Sequence, residues 1–241
     1  QLVLLDGSGA FRGRLSGKFL HESATPGQRP CVGDWVCVDR SSSDQFGLVR
    51  GVVARKTGLR RRAAGESRDT QMIAANVDVV IVVQSCHYDC KLKRLERYLV
   101  MVRDGGAVPC VLLTKVDLVE PSVVAAQVAQ IRSAGIDVPV LTLSNITRDG
   151  VTELQGMLES GKTYCFVGSS GVGKSTLING LIGRALLETK DVSGSGEGRH
   201  TTVRRELIVL SSGAMVIDNP GMREFGVLGA GGGIEASYAD I

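Results

Sequence analysis

Residues 168–176 read Gly-Ser-Ser-Gly-Val-Gly-Lys-Ser-Thr, which places glycines, one lysine and hydroxyls at the spacing of a phosphate-cradling loop. Gly168, Gly171 and Gly173 let backbone N–H groups converge on phosphate oxygens at a helix N-terminus, whose dipole favours anions. Lys174 would reach the outer phosphates and the Ser175 hydroxyl would ligate Mg²⁺, and the whole run, with Ser169, Ser170, Val172 and Thr176, is expected to hold the nucleotide. A second element, Thr114-Lys115-Val116-Asp117, lies upstream of the first. There the Asp117 carboxylate can accept two hydrogen bonds from the guanine N1 and N2 groups, which adenine lacks, while Lys115 lays its methylene stem along the base. Thr114 stands where asparagine is more usual and is expected to bridge less well. Ser144 and Asn145, at the end of the next predicted strand, are the expected contact to the base oxygen.

Two further segments would complete the chemistry. Asp218-Asn-Pro-Gly221 fits an Asp-x-x-Gly element in which Asp218 reaches Mg²⁺ through water and the Gly221 N–H senses the γ-phosphate. Between the two phosphate elements, the glycine-rich stretch from Gly194 to Thr202 offers Thr201 or Thr202 to the Mg²⁺ shell when GTP is present. After Gly221 comes Met222, whose thioether cannot orient an attacking water, so His200 is the candidate for that task. Low intrinsic turnover with stimulation by a partner is the expectation, because positioning and charge stabilisation supply nearly all of phosphoryl-transfer catalysis. The competing reading is a scaffold that holds GTP or GDP without useful hydrolysis.

The base-reading tetrapeptide ordinarily follows the phosphate loop, and here it precedes it. That order predicts a circularly permuted GTPase. The elements that must position these residues follow from the apolar pattern. Val77–Val83, Val108–Leu113, Val138–Leu143 and Thr163–Val167 read as buried strands, with Leu207–Leu210 and Ala214–Ile217 as two more. Leu92, Leu95, Tyr98, Leu99 and Val102 share one helical face, with Lys91, Arg94 and Arg97 expected outward. Further helices are expected at 122–134, around Leu154 and from Lys174 to Leu181. Alternating strands and helices predict a parallel sheet covered on its faces.

Residues 1–66 differ, with short strands at Leu2–Leu5, Ala10–Leu15, Trp35–Asp39 and Gly47–Ala54 between polar turns. An all-β OB-fold barrel is expected here, with an SH3-like barrel as the alternative. The densest positive charge lies at its end, in Arg50, Arg55, Lys56, Arg60, Arg61, Arg62 and Arg68, which reads either as a solvated face or as a phosphate-binding patch. Net charge is only +3, too weak to identify a nucleic-acid binder, and the 4% aromatic content argues against an RNA platform built on stacked rings. The six cysteines are irregularly spaced and read as buried reduced thiols, and Cys86-His87-Tyr88-Asp89-Cys90 lacks the second pair a zinc site needs. No apolar stretch approaches the roughly 20 residues of a membrane span.

Gly33-Asp34-Trp35-Val36, the run from Gln71 to Asp78, the tetrapeptide at 114, the loop at 168, Gly198-Arg-His-Thr-Thr202 and Asp218-Asn-Pro-Gly221 together resemble the RsgA family, also called YjeQ or YloQ. The resemblance implies an OB-fold RNA-binding barrel at 1–66, a linker at 67–76 and a circularly permuted P-loop GTPase domain at 77–228. It also implies late maturation of the small ribosomal subunit as the role, with the subunit and its rRNA as partners; a monomer with no membrane association is expected, cytoplasmic or, in a eukaryotic source, inside an organelle. Family members continue into a zinc-binding module. Residues 229–241 are expected to be the start of a truncated carboxy-terminal region, with Zn²⁺ belonging only to the module beyond it.

Overall fold

The seven residues Val79–Ser85 (β7) form the strand around which the larger sheet is arranged; Val80 to Ser85 are all buried. A strand buried on both faces must be apolar throughout, as this one is up to its carboxyl end. It pairs in parallel with Val108–Thr114 (β8) on one side and Thr163–Val167 (β10) on the other. Val140–Leu143 (β9) extends the sheet beyond β8, and Met215–Asp218 (β12) then Glu206–Val209 (β11) extend it beyond β10, with β11 antiparallel. The computed structural model describes residues 2–23, 25–40, 46–62, 70–183 and 206–218.

Alternation along β7 assigns the two faces. Val80 and Val82 pack with Leu95, Tyr98, Leu99 and Val102 of Leu92–Asp104 (α2) and with Ile131 of Pro121–Ser133 (α3). Ile81 and Val83 pack with Leu154 of Val151–Met157 (α4) and with Leu177 and Ile178 of Lys174–Ile182 (α5). Each fully buried aliphatic side chain contributes about 1.5–3 kcal/mol. The chain runs from β7 outward through β8 to β9, then returns across β7 to β10. That reversal makes the carboxyl ends of β7 and β10 the crevice where open α/β sheets take ligands.

The amino-terminal part forms a four-stranded sheet of Leu2–Asp6 (β1), Gly9–Leu15 (β2), Val36–Asp39 (β3) and Phe46–Val52 (β4), in the order β1-β2-β4-β3. The turn between β1 and β2 is held by Asp6 Oδ1, which accepts from the Ser8 and Gly9 N–H groups at 2.8 and 3.1 Å. A six-residue helix, Gly17–Glu22 (α1), is capped by Ser16 Oγ and buries none of its residues, so no apolar period announces it.

The stretch 67–76, expected to be a linker, contains a strand. Thr70–Ala75 (β6) pairs antiparallel with Gly58–Arg62 (β5), and Met72, Ile73, Ala74 and Ala75 are buried. Leu59 and Ile73 join the core beneath α2, and the Gly58 N–H donates to the Gly105 carbonyl just past that helix at 2.9 Å. The first sheet is fastened to this hairpin through Ala75 N–H to Val32 O and Asn76 Nδ2 to Gly33 O, both 3.0 Å. Arg55 reinforces the junction, donating to both carboxylate oxygens of Asp34 at 2.7 Å and to the carbonyls of Gly27 and Arg29. Arg50 pairs with Asp39 at 2.6 Å. Two arginines of the expected basic patch are therefore engaged within the chain.

Candidate functional site

β10 ends at Val167 and the chain turns at once into the glycine loop. At Gly168 the backbone has φ +149°, and a Cβ there would stand 2.2 Å from the Val83 carbonyl oxygen, so only glycine lets the loop leave between β10 and β7. Gly173 caps α5 in the left-handed conformation, and Lys174 opens the helix. The loop thus lies at a helix N-terminus, where free N–H groups and the dipole favour an anion.

Lys174 is buried, and its Nζ donates to the carbonyls of Gly168 and Ser169 at 2.7 and 2.6 Å. Burial pushes the ammonium down to about 8, opposed by the negative charges of Asp218 and Asp89. Asp218 is itself buried at the end of β12, in register with Phe166 two residues before the loop. Ser175 is half-buried in the first turn of α5, while Ser170 and Thr176 are exposed and Val172 is packed in the core with Leu177.

The tetrapeptide at the end of β8 is fastened to the loop. Thr114, expected to bridge less than an asparagine, does bridge: its buried Oγ1 lies 2.6 Å from the Val172 carbonyl and 3.1 Å from that of Gln84. A hydroxyl has one proton, and the shorter contact to Val172 is the better place for it. Lys115 adopts the left-handed conformation at φ 59°, a strained state for a side-chain-bearing residue that recurs at functional sites. Its Nζ sits 4.8 Å from the centroid of the Tyr88 ring, and the Tyr88 hydroxyl stands beside Gly171. Val116 packs on the core, and Asp117, in the short 3-10 turn Val116–Leu118, is exposed.

Ser144 and Asn145, the expected contact to the base oxygen, also have partners within the chain. Ser144 Oγ is buried and accepts from the N–H groups of Ile146 and Thr147, each at 3.1 Å, so it shapes its own loop. Asn145 Nδ2 donates to the Gly173 carbonyl at 3.1 Å, a second tie to the phosphate loop.

Arg94, expected outward on α2, points inward: Nη1 donates to Asp89 Oδ1 and to Ser169 Oγ. The sequence signal was its place in the first turn of α2, beside Leu95, where that helix starts at the carboxyl edge of the sheet. Of the cysteines, Cys86, Cys110 and Cys165 are buried, but Cys31 and Cys90 are only half-buried and Cys37 is exposed. Loss of solvation pushes the Cys86 and Cys110 thiols up to about 11. His200, Thr201, Thr202, Gly221 and Met222 lie outside the described residues.

With the loop, the tetrapeptide and their order on the sheet in place, residues 52–228 match the sequence profile described as RsgA GTPase. The chain belongs to the RsgA GTPase family. It is 41% identical to a Lactiplantibacillus plantarum protein named small ribosomal subunit biogenesis GTPase RsgA 2, over 97% of this chain and 65% of the relative. A Methanosarcina acetivorans protein named small ribosomal subunit biogenesis GTPase RsgA is 42% identical over 89% of this chain and 58% of its own length. The chain thus spans about three-fifths of the length of such RsgA relatives. Its fold is that of YjeQ from Thermotoga maritima, at TM-score 0.66 and 24% identity over 90% of this chain and 69% of that one. It is also that of YloQ, described as a circularly permuted GTPase, at TM-score 0.62 and 24% identity over 93% and 68%. The RsgA order, with the tetrapeptide on β8 ahead of the loop after β10, is the permutation inferred from the sequence.

Proposed function

We propose that this chain binds GTP and hydrolyses it to GDP and phosphate, in the service of small-subunit maturation that the names of its relatives describe. One observation carries the reading: the Thr114 hydroxyl joins the tetrapeptide to the loop, so that a base held by Asp117 and phosphates held at 168–176 would belong to one pocket. The run 168–176 then cradles the phosphates, Lys174 turns from its carbonyls to the outer phosphates, Lys115 and Asp117 take the base with Ser144 and Asn145 at its oxygen, and Asn145 also steadies the loop. A water attacks the γ-phosphorus as the bond to the bridging oxygen breaks and GDP leaves.

Mg²⁺ suits the donor set, since the Ser175 hydroxyl and the buried Asp218 carboxylate offer the hard oxygen ligands that ion takes. Thr201 or Thr202 would join them. When bound, the ion neutralises developing charge on the phosphate oxygens. His200 is proposed to orient the water in place of Met222, with the Gly221 N–H sensing the γ-phosphate.

The domain reading is an OB-fold barrel over 1–66 that holds rRNA, a junction at 67–76 and the GTPase domain over 77–228. Zn²⁺ is assigned to none of these residues; its place in this reading is the zinc-binding module that the resemblance implies. Among the described residues, no helix is long and apolar enough to cross a membrane. A monomer acting on the small ribosomal subunit in the cytoplasm fits this reading. GTP turnover measured with and without small ribosomal subunits tests it. The expected result is slow turnover alone and a strong rise with subunits; turnover on the order of 1 per second without them, an ordinary kinase rate, would contradict it. No stimulation would favour the scaffold.

A further inference from the structure

Arg94 and Ser169 are 75 residues apart in sequence, yet the guanidinium donates to the hydroxyl and, through the same nitrogen, to Asp89. Asp89 lies in the loop between β7 and α2 and is 6% exposed. Its Oδ1 takes Arg94, while its Oδ2 is buried and finds no hydrogen-bond partner among the described residues. A half-satisfied buried carboxylate is a poor device for stability, because an apolar pair of similar volume often serves as well or better. What this pair does hold is the second residue of the phosphate loop.

We propose that Arg94, oriented by Asp89, is a positioning residue that sets the phosphate loop for the nucleotide through the Ser169 hydroxyl; this rests on the reading of the loop as a guanine-nucleotide site. Two effects combine in Arg94. Its hydrogen bond fixes Ser169 from behind, so the loop is ordered before the ligand arrives, and preorganisation of that kind raises affinity by lowering the cost of binding. Its charge also neutralises Asp89, which would otherwise present a buried negative charge beside a site for phosphates. Di- and triphosphates should depend on both effects alike, and the base contact on neither.

The test is a mutant cycle on the chain, read by GDP affinity, GTP affinity and thermal unfolding. Ser169→Ala should weaken GDP by about threefold and Arg94→Ala by more than tenfold, the scale of a charge-assisted hydrogen bond. The double variant should match Arg94→Ala within about twofold, since both changes break one contact. Adding Asp89→Asn to Arg94→Ala should restore part of the affinity by removing the uncompensated charge. Preference for GDP over ADP should stay as in the parent. Unchanged GDP affinity in a folded Arg94→Ala chain, or effects that multiply in the double variant, would overturn the proposal. If Arg94→Ala does not fold, Arg94→Met, which keeps the stem but loses the donors and the charge, paired with Ser169→Ala is read in the same way. A parent chain that binds no guanine nucleotide sinks the site reading and this inference together; a parent that binds GDP no better than its variants sinks this inference alone.

Discussion

The Thr114 hydroxyl lies 2.6 Å from the Val172 carbonyl, joining the end of β8 to the glycine loop that follows β10. Both groups are buried, so the bond forms without competition from water. Thr114→Val keeps the shape and removes the oxygen, leaving that carbonyl unsatisfied. The expected cost is about 1–3 kcal/mol of stability by denaturant unfolding, with weaker GDP binding alongside. A variant as stable as the parent, binding GDP equally well, would show that the bond holds nothing in place.

Lys174 gives a pH dependence whose sign is fixed by its burial. In the free chain its ammonium titrates at about 8, and phosphates bound beside it would raise that value. Binding therefore takes up a proton above this pH. GDP affinity should be level through neutral pH and fall as pH rises through about 8, by at most roughly tenfold per unit. Without nucleotide the sign reverses for folding: the unfolded lysine titrates near 10.5, so the burial penalty is relieved and stability rises between about 8 and 10.5. Titrating GDP at several pH values checks the first expectation; affinity that holds level well above pH 8 would contradict it.

Arg55 braces the 27–34 segment, whose Val32 and Gly33 carbonyls accept from the Ala75 and Asn76 groups at the end of β6. Its partner Asp34 has a side chain only 1% exposed, so Arg55→Ala strips both guanidinium donors from a buried carboxylate that keeps the Cys31 N–H at 2.7 Å. A loss of about 3 kcal/mol is expected in equilibrium unfolding. Arg60, exposed on β5, has no such duty, and Arg60→Ala should leave stability within about 0.5 kcal/mol of the parent. Equal effects of the two substitutions would refute this distinction.

These two arginines also mark what the sequence makes legible. β7, β8 and β10 could be read from it because a strand buried on both faces has to be a continuous apolar run, and the glycine loop because its chemistry demands a spacing that few other turns share. The apolar face of α2 was legible from its period, with Leu95, Tyr98, Leu99 and Val102 all buried. For Arg94 only its place in the first turn of α2 was legible; its partner Ser169 arrives from far along the chain. The strand β6 was hidden for the same reason: its short run needs β5 as a partner before it differs from a linker. Charge density could not show that Arg50 and Arg55 are already paired.

A base read by Asp117 in one pocket with phosphates held at 168–176 should change identity when one carboxylate oxygen is exchanged for nitrogen. Asp117 is exposed in its 3-10 turn, so Asp117→Asn should leave the fold intact. The amide oxygen can still accept from N1–H, but the amide NH₂ faces the guanine N2 donor and can instead donate to the additional oxygen of xanthine. GDP and XDP affinities of the parent and of Asp117→Asn should therefore cross, with the parent preferring GDP and the variant XDP. An Asp117→Asn chain that keeps the parent's preference for GDP would contradict the base assignment, and with it the account of the pocket.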